Sequence, residues 1–168
     1  FFFISGLLFF YSKKTFLQKI KSRFHTLLIP YLFFNALILC GYLCLMSFGK
    51  TIIILGKDLA DYALIDYIRA FWDRGVWDHG NGSPLLCPLW YIRNLMVLVI
   101  LSPIIYYIIK YTKLLFPVFF GLLWINAHDS AYTLQSLTMF SLGAYFPICD
   151  KNPIEVFEKY RVLFVCVF

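Results

Sequence analysis

Residues 27–48, LLIPYLFFNALILCGYLCLMSF, run without one charged side chain. A helix needs around 20 apolar residues to cross a hydrocarbon core of about 30 Å, so this segment alone directs the chain toward lipid. The composition agrees: 61% of residues are hydrophobic, only 14% are charged and the mean hydropathy is +0.77, where soluble domains carry about 25% charge. The apolar residues also arrive in long blocks rather than at amphipathic spacing. The expected fold is all-α, a polytopic transmembrane helix bundle.

A walk along the chain lays out the spans. FFFISGLLFFY, residues 1–11, is too short to cross and reads as the end of a helix. With no methionine at the start and RVLFVCVF stopping inside another apolar run, the chain reads as a piece of a larger bundle. Residues 12–25 hold Lys13, Lys14, Lys19, Lys21 and Arg23 and no acidic residue, so the positive-inside rule makes this a cytoplasmic basic loop. The span 27–48 then leaves the cytoplasm, with Pro30 in its first turn, where a missing N–H costs least. Asn35 is its lone amide and needs a partner within the bundle.

Residues 49–88 mix charges of both signs and form the expected outer loop. Within it Leu59, Ala63, Ile65, Ile68 and Phe71 recur at helical spacing, which predicts a short helix at the interface or capping the bundle. Trp72 and Trp77 suit an aromatic belt. Residues 88–109 return toward Lys110 and Lys113. Residues 114–126, with Pro117 and Gly121, are short for a span. Residues 131–148 cross inward again, and Ser136, Thr138, Ser141, Gly143 and Ala144 mark a helix-packing face. Residues 149–161 read as an amphipathic cytoplasmic linker. The chain is expected to form one membrane domain over 1–168.

The net charge of +6 lies mostly in the basic loop, which is small for nucleic acid, and no nucleic-acid partner is expected. Cys40, Cys44, Cys87, Cys149 and Cys166 show no ligand spacing, so no metal is expected. His25, His79 and His128 are each solvated loop residues or bases, without a nucleophile elbow, phosphate loop or zinc helix to decide between them. Arg93, in PLWYIRNL, is the clearest intramembrane charge, at about 2.5–3.5 kcal/mol on insertion scales. One turn into its helix it can also snorkel outward. Spacing alone does not reach an enzymatic function.

Four pieces in order do reach a family. FFFISGLLFF, then KIKSRFHTLLIPY, then PLWYIRNL heading an apolar run, then FSLGAYF together resemble the acyltransferase 3 family of polytopic membrane acyltransferases. Ser5 and Gly6 match its F-x-x-S-G segment. Arg23 and Pro30 match its basic-loop arginine and the proline opening the next helix. Trp90 and Arg93 match its tryptophan-led segment, and Gly143 its F-x-x-G-x-Y/F segment.

The resemblance implies transfer of an acyl group, commonly acetyl, from acyl-CoA to a hydroxyl of a cell-envelope or secreted carbohydrate. The location it implies is a bacterial-type cytoplasmic membrane, crossed several times. Acyl-CoA, acetyl-CoA in particular, is then a donor substrate, and no bound cofactor is expected. Arg23, Arg93, Trp90 and Ser5 become donor- or acceptor-binding candidates, and Gly6, Pro30 and Gly143 structural ones. The family's catalytic histidine and an upstream arginine precede F-x-x-S-G, so the base is expected upstream of Phe1, and residues 1–168 alone are expected to be inactive. Two other readings stay open: a non-enzymatic multi-pass transporter or glycan-lipid flippase, and a structural membrane subunit in which Arg93 only snorkels.

Overall fold

A computed structural model describes residues 1–54, 57–72, 84–126 and 131–159. The architecture is all-α: α1 (Phe2–Tyr11), α2 (Phe16–Ser47), α3 (Leu64–Trp72), α4 (Trp90–Thr112), α5 (Leu115–Asn126), α6 (Ala131–Ile148) and α7 (Pro153–Lys159). One small antiparallel pair, β1 (Ile53–Ile54) with β2 (Lys57–Asp58), precedes α3. α2 and the run Cys87–Thr112 are long and apolar enough to cross a membrane. Only 11% of the apolar window of α2 is buried within the chain, against 50% for the second run, so α2 turns most of its apolar surface outward.

Two sequence expectations change along α2. The loop foreseen over 12–25 is confined to 12–15, because the helix starts at Phe16. Leu17, Gln18, Lys19, Lys21 and Arg23 are good helix formers, and a helix need not begin where its apolar run begins. Pro30 therefore sits in the helix interior rather than its first turn. There it leaves the Thr26 carbonyl without a helical donor. The other segments are closer to expectation, with α5 at 12 residues, about 18 Å long.

Tight corners join the later helices. Lys113 and Asp150 take left-handed backbone at φ 52° and 51°, the conformation that commonly ends a helix. The Lys113 N–H returns to the Ile109 carbonyl at 2.7 Å, and that of Lys151 to the Phe146 carbonyl at 2.9 Å. Asn152 caps α7 by accepting from the Ile154 N–H at 3.1 Å, and Pro153 stands at its start, where a proline fits.

The chain divides into two compact units, Phe1–Lys19 with Ile100–Phe168, and Ile20–Val99. In the first, α1 runs antiparallel to α6: Phe3 meets Phe146 edge to face at 5.8 Å, and Phe9 meets Phe140 at 6.3 Å. A Cβ built on Gly6 would overlap the Phe140 carbonyl and come within 3.3 Å of the Ala144 nitrogen. One built on Gly143 would overlap the Phe3 carbonyl and come within 3.0 Å of the Leu7 nitrogen. Lipid offers no hydrophobic drive for helix association, so close backbone approach through small residues supplies the packing. Ser136, Thr138, Ser141 and Ala144 are all buried on α6.

In the second unit, Ile54, Leu59, Ala70 and Leu85 form a buried cluster. Ile38, Leu39, Tyr42, Leu43 and Met46 of α2 pack onto it. Residues 52–54 and 59–71 thus pack along α2. The short helix expected here is α3; its Asp66 and Ala70 are buried, whereas Ile65 and Ile68 are exposed. A second cluster joins Tyr31, Leu89 and Met96, flanked by Phe24, Leu27, Leu28 and Ile92.

Candidate functional site

α4 opens after a 3₁₀ turn at Cys87–Leu89 and projects Arg93 from its first turn. Arg93 is only 8% exposed. Its Nη1 donates to the Trp72 carbonyl at 2.6 Å. Nε and Nη2 both donate to Asn94 Oδ1, at 3.3 and 3.2 Å. The guanidinium carbon also stands 5.6 Å from the centroid of the Trp72 ring, within cation–π range.

Trp72 ends α3. The last carbonyls of a helix lack intrahelical donors and carry the negative end of its dipole, so a cation there is favoured. The neighbouring carbonyl, Phe71, accepts from the Tyr31 hydroxyl. A side chain of α2 and one of α4 therefore close the two final carbonyls of α3. One turn further along α2, Asn35 is fully buried. Its Nδ2 donates to the Tyr31 carbonyl at 2.9 Å, while its Oδ1 has no partner among the described residues. The partner sought for Asn35 is, on the donor side, its own helix.

This arrangement leaves a buried cation whose described oxygen partners are all neutral. Two of the five N–H groups of a guanidinium make no hydrogen bond to the described residues. Such a site can hold an acceptor oxygen or an anionic group in a low-dielectric setting, where charge-assisted bonds are strongest.

The other sequence candidates are distributed as follows. Trp90 is half-buried, with Tyr91 edge-on at 6.4 Å. Arg23 is exposed on α2, beside Phe24 of the Tyr31 cluster, and has no hydrogen-bond or ring partner among the described residues. Pro30 precedes Tyr31 directly. Ser5 is half-buried on α1 in the first unit. Gly6 and Gly143 meet through the α1–α6 contact. His25 is exposed on α2, whereas Trp77, His79 and His128 lie outside the described residues.

Three residues escaped sequence reasoning. Tyr31 and Asn94 stand inside the quoted segments LLIPY and PLWYIRNL, but nothing in their spacing announces a bond 40 residues away or a hold on Arg93. Lys19 belongs to the stretch expected to be the cytoplasmic basic loop. It is instead 8% exposed, its Nζ 5.4 Å from the ring centroids of both Phe9 and Phe16. The one signal was Phe16, one helical turn before it.

No curated protein and no solved structure matches the chain. The family described as an acyltransferase domain matches it over residues 1–168. A match over the whole length, on a chain of apolar helices, places it: the chain belongs to the acyltransferase 3 family.

Proposed function

We propose that the protein is a membrane O-acyltransferase that moves an acyl group, acetyl first among them, from acyl-CoA to a hydroxyl of a cell-envelope or secreted carbohydrate. The family match over residues 1–168 carries this reading. In the reaction the acceptor oxygen attacks the thioester carbonyl. The C–O bond forms as the C–S bond breaks, a base takes the hydroxyl proton and coenzyme A leaves.

The proposed roles follow exposure and charge. Arg23, exposed and inside the basic stretch, meets the donor's phosphates from the cytoplasmic side. Arg93 holds the acceptor with the N–H groups that Trp72 and Asn94 leave over, and Trp90 lines the same helix start. The buried neutral cradle of Arg93 supports this assignment.

The test uses membranes containing the intact protein, with the upstream segment expected to carry the base, supplied with acetyl-CoA labelled in the acetyl group. Label appearing in envelope polysaccharide, and lost with the Arg93→Ala variant, is the expected result. Equal incorporation with and without the protein would sink the reading.

A further inference from the structure

Arg93 is buried without a counter-charge. Its hydrogen bonds end on the Trp72 carbonyl and on Asn94 Oδ1, which are neutral oxygens, and the ring beside its guanidinium is that of Trp72. Asp66 is the one buried acid among the described residues. It turns to the start of α3, where it accepts from the Ala63 N–H, whereas Arg93 stands at the other end of that helix. A guanidinium stays charged in a protein, so loss of a proton does not relieve the burial. Burying a charge is costly unless an opposite charge meets it. The negative end of the α3 dipole offsets part of that cost, but closing α3 needs Nη1 alone. Asn94, itself 5% exposed, spends one oxygen on both Nε and Nη2. It fixes the plane of the guanidinium as an aspartate would, without cancelling its charge.

We infer that the acceptor is an anionic carbohydrate, that Arg93 pairs with its carboxylate or phosphate, and that Asn94 is the positioning residue that keeps the charge of Arg93 available. This rests on the acyltransferase reading for the identity of the substrate as an acceptor. Only 8% of Arg93 is exposed, so what reaches it is a small charged substituent and not a sugar ring. The N–H groups left over on Nη1 and Nη2 then make charge-assisted bonds in a low-dielectric setting, where they are strongest. The donor's phosphates belong elsewhere. α4 is 23 residues long, about 35 Å, with Lys110 in its last turn and Arg93 in its first. The positive-inside rule turns the lysine end to the cytoplasm, where acyl-CoA is, and leaves Arg93 to the acceptor's side.

The experiment uses the intact protein in phosphatidylcholine nanodiscs and de-acetylated envelope polysaccharide in three forms: untreated, carboxyl-reduced with carbodiimide and borohydride, and dephosphorylated with hydrofluoric acid. Acetyl transfer from labelled acetyl-CoA and polysaccharide binding without coenzyme are measured separately. One or both treatments should lower acceptor kcat/KM and affinity roughly ten- to hundred-fold, and the effective treatment names the group as carboxylate or phosphate. Asn94→Asp keeps the size and the acceptor oxygen while adding the missing charge, and should bring the untreated polysaccharide down to the level of the treated one. Arg69→Ala, at an exposed arginine in the last turn of α3, should keep the parent's preference. Transfer and binding indifferent to both treatments overturn the inference and leave the acyltransferase reading standing. A preference lost in Arg69→Ala but kept in Asn94→Asp would mean attraction to the surface, and overturns it as well. Absence of transfer to every form removes the acyltransferase reading instead, and binding then decides the inference alone. If Asn94→Asp does not fold, the parent's own ranking of the three forms decides it.

Discussion

Gly6 and Gly143 each admit the backbone of the other's helix: the Phe140 carbonyl fills the place of a Gly6 side chain, and the Phe3 carbonyl that of Gly143. The obstacle on both sides is main chain, which cannot rotate away as a flexible side-chain end can. Gly6→Ala and Gly143→Ala are each expected to push α1 from α6 and destabilise the first unit by about 1–3 kcal/mol, the usual range for overpacking. Gly121→Ala supplies the contrast, because its Cβ would meet only the Thr138 methyl at 3.4 Å. Thermal unfolding in detergent should fall for the first two and hardly move for the third. Equal shifts for all three would remove the argument.

The end of α3 is closed twice, so its two closures should be coupled. Tyr31→Phe keeps the ring in its cluster with Leu89 and Met96 and deletes the bond to Phe71, at about 0.5–1.5 kcal/mol. Arg93→Met removes the bond to Trp72 and leaves that carbonyl unpaired, a larger loss of about 1.5–3 kcal/mol for a charged donor. Amide exchange of residues 64–72, followed by mass spectrometry, should quicken in each variant. In the double variant the effects should not add, since one helix end is released only once. Strict additivity would mean that the two bonds hold different structures.

How far the sequence foretold these features depends on which force each one reports. The charge-free run 27–48 is a direct reading of lipid solubility, and α2 holds all of it but Phe48. The same reading misplaced the start of α2 and the setting of Pro30, because hydropathy measures transfer to lipid and not hydrogen bonding. For α3, helical periodicity found the helix but left open whether its apolar face lies at the interface or caps the bundle, and Ile65 and Ile68 are exposed. In water an apolar stripe turns inward, whereas beside a membrane span it can turn outward and leave Asp66 and Ala70 to face protein. The bonds from Tyr31 to Phe71 and from Arg93 to Trp72 join distant parts of the chain, and no local pattern encodes them. Family motifs located Arg93; only the fold shows what it holds.

Lys19 tests whether a buried cation on aromatic rings adds stability by its charge or by its stem. Its Nζ has Phe9 and Phe16 as ring neighbours, a pairing worth about 0.5–2 kcal/mol. Burial works against that gain by stripping water from the ammonium. Lys19→Met keeps the length and the packing while deleting the charge, and is expected to stay within about 1 kcal/mol of the parent, the range of volume-conserving swaps. Lys19→Glu places an anion over ring faces that are themselves negative and should lower the unfolding temperature clearly. A Met variant as damaged as the Glu variant would show that the ammonium itself holds the elbow between α1 and α2.

Arg23 separates function from stability most cleanly, because it is exposed and has no partner among the described residues. Exposed substitutions away from caps and networks usually change stability by no more than about 0.5 kcal/mol, so Arg23→Ala should fold, insert and unfold like the parent. If its guanidinium meets the donor's phosphates, the variant forfeits a charge-assisted bond of about 1.5–3 kcal/mol, roughly ten- to hundred-fold in kcat/KM. The loss should appear mainly in the KM for acetyl-CoA and leave the carbohydrate KM unchanged. Arg23→Lys should recover part of it, since a phosphate also accepts a point charge. Added salt should weaken the parent more than the alanine variant, because an exposed pair is screened within about 10 Å at 0.1 M. An alanine variant with unaltered acetyl-CoA KM at every salt concentration would remove Arg23 from the donor site.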